Sequence, residues 1–144
     1  MKKKILIILA SFTLFYFNYI TVSAKNTYFD DGKKFFDKKN YKDSKFYFEK
    51  DIVFNPKSEK AYLYLAKIFN QEENYDLEEN NLKTVLLLNP KNEEAIYLLT
   101  LINIKNSNFS KAKELISRLD LVCKKMCSSK EELRSKLDSS LKSE

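Results

Sequence analysis

Histidine and tryptophan are absent from the 144 residues, glycine occurs once, and proline and cysteine occur twice each. Each shortage removes a class of function. Without histidine there is no Ser-His-Asp or Cys-His catalytic set, no H-E-x-x-H zinc site and no imidazole titrating near neutrality. A lone Gly32 leaves no G-x-G-x-x-G dinucleotide loop and no Walker-type cradle, because both place several glycines at fixed spacing. No cofactor is implied. So few turn formers, among many Lys, Glu, Leu, Phe and Tyr, point to helices joined by short turns. The length suits one domain or a short array of repeats.

What is present begins with an address. Residues 1–4 carry Lys2, Lys3 and Lys4, residues 5–20 form an apolar run, and Thr21-Val22-Ser23-Ala24 follows. This is the order of a secretory signal peptide, with small residues at −3 and −1 of a cleavage site after Ala24. The alternative is an uncleaved membrane anchor. The run of 16 is short for a bilayer span, and Asn18 interrupts it. The expected location is periplasmic or secreted. No Cys stands near residue 20 to carry a lipoprotein anchor.

Removing the signal changes the charge argument. The formal +6 rests on 26 basic and 20 acidic residues, and three of the lysines lie in residues 1–24. The remaining 120 residues carry 23 against 20, a charge of +3. That is too small to imply nucleic acid, where a concentrated basic face is expected. Acidic neighbours such as Glu72-Glu73, Glu78-Glu79 and Glu131-Glu132 read as solvated helix faces, since adjacent helical residues point about 100° apart. No residue set calls for an enzyme, a metal or a small-molecule substrate.

The rest of the chain repeats. Asn55-Pro56-Lys57 and Asn89-Pro90-Lys91 lie 34 residues apart, and sliding the chain by 34 aligns several further columns. Tyr41, Tyr75 and Phe109 coincide, each after an Asn. So do Tyr28, Tyr62 and Ile96; Gly32, Ala66 and Thr100; and Phe48, Leu82 and Ile116. A fixed period of this length marks a solenoid. Each period reads as two helices. Ala61, Tyr62, Leu65, Ala66 and Phe69 form one apolar stripe, opened by Ser58 or Glu59 after Pro56. Residues 77–88 supply the second helix, with Leu82, Val85 and Leu86 inward, and Asn89-Pro90 ends it. The small column Gly32, Ala66, Thr100 falls where the two helices of a hairpin cross closely.

These columns resemble the tetratricopeptide repeat (TPR) family. The match covers residues 25 to about 123 in units 25–58, 59–92 and 93–126, the third degenerate. The resemblance implies an all-α, right-handed superhelical stack of about three helix-turn-helix hairpins. The middle unit fits the family pattern best, and the first departs from it with Asp31 and Asp51; the column where Ala is usual reads Ser44, Glu78, Ala112. The third has Asn103 where Phe35 and Phe69 stand, and no terminal Pro. Residues 127–144 form a C-terminal helix, with Leu133, Leu137 and Leu141 as a narrow apolar stripe and Ser129 and Glu132 as a capping box. It reads as the cap of the stack, with partner docking as the alternative.

The resemblance also implies a binding groove lined by the first helices. Carried onto this sequence, its residues are Phe29, Lys33 and Phe36, then Lys60, Leu63, Lys67 and Asn70, then Tyr97, Leu101 and Ile104, with Asn26, Asp37, Gln71, Glu94 and Lys105 beside them. Such a surface suits a peptide or protein segment, with apolar anchors and with Lys33 and Lys67 meeting carboxylates. Cys123 and Cys127, spaced i, i+4, are candidates for a structural disulfide. Free thiols or a functional thiol are the alternatives. The resulting expectation is a non-catalytic protein-binding module or scaffold of a bacterial cell envelope. The alternative is an assembly subunit docking to an envelope complex through its convex face or last helix. A membrane contact is expected only through an uncleaved signal segment.

Overall fold

The computed structural model describes residues 27–142; the signal-peptide reading, its cleavage after Ala24 and Asn26 lie outside them. Seven helices follow one another among the described residues: α1 Thr27–Asp37, α2 Tyr41–Phe54, α3 Glu59–Gln71, α4 Tyr75–Leu88, α5 Glu93–Lys105, α6 Phe109–Val122 and α7 Ser129–Leu141. None is long and apolar enough to cross a membrane. Each consecutive pair α1–α2, α3–α4 and α5–α6 packs as a hairpin, and each hairpin packs on the next.

The turn inside each hairpin is the same device used three times. Lys39, Glu73 and Ser107 have φ of 58°, 57° and 54°, in the left-handed region. In the first hairpin the Lys39 N–H donates to the Phe36 carbonyl at 2.8 Å and the Asn40 N–H to the Phe35 carbonyl at 3.0 Å. The same pair of bonds recurs at Glu73/Asn74 and Ser107/Asn108. This is a Schellman motif, whose left-handed residue is usually Gly. The following Asn then caps the second helix: Asn40, Asn74 and Asn108 accept from the N–H of Asp43, Leu77 and Lys111. The recurrent Asn before Tyr41, Tyr75 and Phe109 is thus an N-cap, and α4 begins at Tyr75, two residues before the sequence expectation.

Turns between hairpins have their own clasp. The Glu59 carboxylate accepts from the side-chain amides of Asn89 (2.9 Å) and Asn92, the turn that ends its own unit. Glu93 does the same one unit later, accepting from the N–H of Lys125 (2.9 Å) and Met126 (2.7 Å). These amides hold the Glu93 carboxyl below its ordinary value, Met126 first.

Two apolar clusters fill the stack, and α3 serves both. Ala61, Leu65, Ile68 and Phe69 join Phe48, flanked by Phe29, Phe36, Tyr41 and Tyr64. Leu63 and Ala66 join α4, α5, α6 and α7 through Leu82, Val85, Ile96, Leu115, Leu119 and Leu133. The close crossing expected at Gly32 is real: a Cβ there would lie 2.8 Å from the Phe48 ring. Ser44 spends its hydroxyl on the Gly32 carbonyl at 2.9 Å. Asp51, 3% exposed, accepts from the Ser58 hydroxyl, and Asn103 donates to the Leu99 carbonyl. Asp51 and Asn103 are therefore satisfied polar groups in the core, whereas Asp31 pairs with Lys34 at the surface.

The chain closes with α7, packed on both α5 and α6. Leu133 and Leu137 are buried, while Leu141 is 40% exposed. The capping box expected at Ser129 and Glu132 does not form. The N-cap is Ser128, without a side-chain bond, and Glu132 instead accepts from the Tyr97 hydroxyl at 3.0 Å. A tertiary donor on α5 takes the carboxylate the local motif would have used. Cys123 and Cys127 are joined in a disulfide with Cα atoms 5.2 Å apart, bracing the segment between α6 and α7.

Candidate functional site

The first helices α1, α3 and α5 share one side of the stack, and a cleft of about 240 Å³ opens among them. Its walls are Phe36 from α1, Tyr41 at the start of α2, Lys67, Asn70 and Gln71 from α3, Glu78 from α4 and Leu98 from α5. The aromatic wall is interlocked. Phe36 meets Tyr41 and Tyr64 edge-on, with centroids 5.5 and 4.9 Å apart, and Tyr64 stacks on Phe48 at 5.0 Å.

The polar wall combines one cation with two carboxylates. The Lys67 ammonium sits 4.9 Å above the Tyr64 ring and 2.6 Å from the Glu94 carboxylate. Both partners keep solvent access, with side chains 28% and 41% exposed. A pair of this kind is worth about 0–1 kcal/mol, so an incoming carboxylate can replace Glu94 at little cost. Opposite it, Glu78 is buried, and the Asn70 side-chain amide donates to it at 3.0 Å. The solvated-face reading of Glu78 is therefore corrected. It occupies the position where Ser44 and Ala112 pack in the neighbouring hairpins, and Asn70 compensates its burial.

Of the residues the resemblance pointed to, Phe36, Lys67 and Asn70 meet in this cleft, with Gln71 beside them. Lys33 and Lys60 are exposed. Asp37 accepts from Lys33 at 2.7 Å, and this bond holds the Lys33 ammonium above its ordinary value. Phe29 is half-buried against Phe48 and Tyr64. Leu63 and Ile104 are each only 8% exposed and belong to the core, because α3 and α5 are wrapped on more than one side by neighbouring helices. Tyr97 and Leu101 pack against the same core, and Tyr97 is tied to α7 through Glu132. Burial, then the Glu132 carboxylate, push the Tyr97 hydroxyl above its ordinary value. The third hairpin thus gives its groove face largely to α7.

Tyr41, Glu78 and Leu98 were not singled out for the groove by sequence. The available signal was Glu78, a charge standing where a small residue belongs at a helix crossing. A larger cleft, about 420 Å³, opens on the side of α4 and α6. In it Lys83 pairs with Glu79, Lys111 pairs with Glu114, and Arg118 donates to the Pro90 carbonyl. No group of three metal-ligating side chains occurs among the described residues.

No family model matches the sequence, and no curated protein matches it. Solved structures do match the fold. The first TPR domain of Spaghetti (RPAP3), bound to the HSP90 peptide SRMEEVD, superposes with a TM-score of 0.68 at 15% identity, over 78% of this chain and 89% of that one. The Yersinia enterocolitica type III secretion chaperone SycD, in complex with a peptide of the translocator YopD, gives 0.71 at 15%, over 88% and 99%. The CopN–Scc3 complex gives 0.62 at 17%, over 77% and 65%. The fold is that of an all-helical TPR stack.

Proposed function

We propose that this chain is a non-catalytic peptide-binding module of a bacterial cell envelope, and that the cleft between α1, α3 and α5 takes a segment of another protein. The observation that carries the reading is the cleft itself. It places an interlocked aromatic wall, the Asn70 amide and Lys67, in an exchangeable pair with Glu94, within one groove on the first-helix side. An apolar side chain fits against Phe36 and Leu98 while an acidic group displaces Glu94 from Lys67. Two of the solved TPR structures hold peptides, which supports a peptide as the ligand. The envelope setting rests on the order of residues 1–24 and is supported by the Cys123–Cys127 disulfide, since such bonds persist in oxidising compartments.

The experiment is site-specific photo-crosslinking in the producing cell. A benzophenone side chain at the exposed Gln71 is expected to trap a protein partner, whereas one at Lys113 or Glu114 on α6 is not. Equal trapping from all three positions, or trapping only from α6, refutes the groove. Tyr97→Ala and removal of residues 129–144 are unsuitable probes. The first breaks the contact with α7, and the second strips Leu133 and Leu137 from the core.

A further inference from the structure

The repeat carries a second column that the peptide cleft does not use. Val53, Leu87 and Leu121 stand 34 residues apart, each the thirteenth residue of its 14-residue second helix. They are 75%, 81% and 87% exposed, the most exposed large apolar side chains among the described residues. Four residues after each, at the far side of the same helix end, stand Lys57, Lys91 and Lys125, all exposed. None of these lysines has an ion-pair partner among the described residues.

The acids at this end are bound by other groups and make no salt bridge with these lysines, Glu93 alone feeling the charge of Lys125. Asp51 is buried against Ser58, Glu59 is taken by Asn89 and Asn92, and Glu93 is taken by the amides of Lys125 and Met126. Asp120 is held by Arg134 and Lys130. Glu49, one turn before Val53, is the exposed acid nearby, and its counterparts in the next units are Lys83 and Ser117. The chain also enters the fold here: Tyr28 stacks on Phe54 at 5.4 Å, with the Lys50 ammonium 4.4 Å over its ring.

We propose that this edge of the stack rests on an anionic phospholipid bilayer, with Val53, Leu87 and Leu121 entering the interface and Lys57, Lys91 and Lys125 meeting phosphates. Single apolar residues alternating with unpaired cations suit a lipid surface, where each lysine adds to attraction by the anionic leaflet. A second copy of the chain suits it less, because a two-fold contact would set this lysine row against itself. The placement leaves the peptide cleft, on the first-helix side, open.

The absence of tryptophan supplies the test. Leu87→Trp and, as control, Leu77→Trp at the other end of α4 each give the full chain one reporter at an exposed position. With vesicles of phosphatidylcholine and phosphatidylglycerol, the Leu87→Trp emission is expected to shift to the blue and to be quenched by acyl-brominated lipid. The Leu77→Trp emission is expected to stay put. Adding Lys57→Gln, Lys91→Gln and Lys125→Gln lowers the vesicle partition read at Leu87→Trp by about a hundredfold. No change at Leu87→Trp overturns the proposal, as do equal shifts of both reporters. So does a blue shift without vesicles: one that grows with protein concentration assigns the edge to a second copy. One independent of concentration assigns it to the chain's own N-terminal segment.

Discussion

Replacing Lys39, Glu73 and Ser107 by glycine should stabilise the protein, although each replacement removes a side chain. All three residues are exposed and hold φ between 54° and 58°. A non-glycine residue there costs about 1–2 kcal/mol through the approach of its Cβ to the following carbonyl. Glycine removes that cost but loosens the unfolded chain, which takes back about 0.4–1 kcal/mol. The net gain is about 0.5–1 kcal/mol per site. The Schellman bonds of each turn are backbone to backbone and survive the change. The turns share no partners, so the gains add to about 2 kcal/mol. For a domain of this size that raises Tm by about 8 °C. Thermal unfolding followed by far-UV circular dichroism reads the effect, with Glu73→Ala as a control that keeps the strained geometry and leaves Tm unchanged. A triple variant no more stable than the parent would refute the reasoning.

The lone glycine should behave in the opposite way. Gly32→Ala gains helix propensity, but its Cβ meets the ring of fully buried Phe48, which Tyr64 and Phe29 hold in place. Overpacking wins, and urea unfolding should show a loss of about 1–2 kcal/mol; a gain would mean that the crossing is looser than described. The Glu93 clasp should appear in the pH dependence. Because its folded value lies below the ordinary 4.5, its contribution is complete above that pH and is lost as pH falls through the folded value. Glu93→Gln should therefore be less stable than the parent at pH 7 and converge with it in acid. A gap that does not change with pH would contradict the assignment.

The hairpins were legible because each rests on local, repeated chemistry: Pro after the second helix, small residues at the crossing, apolar stripes at helical spacing. Groove positions were legible only where neighbours left them open. Phe36, Lys67 and Asn70 meet in the cleft because no later helix covers them. Leu63 and Ile104 are covered, and a repeat pattern carries no record of which helix lies over which. Glu132 shows the same limit at a helix start, where a tertiary donor, Tyr97, outbid a local motif. The left-handed turns went unread because the usual glycine is missing from all three.

The central claim is that the cleft on the first-helix side holds a peptide. The most direct measurement is selection of a random peptide library on the chain, followed by titration of the enriched peptide against the parent and the Lys67→Glu, Gln71→Ala double variant. Both residues line the cleft and lie outside the core, and the Asn70 amide that satisfies buried Glu78 is left in place. The account predicts enriched sequences that pair an apolar with an acidic residue, and affinity lowered at least tenfold, the effect of about 1.4 kcal/mol, in the double variant. Peptides that bind the two forms equally well would place the binding elsewhere and contradict the account.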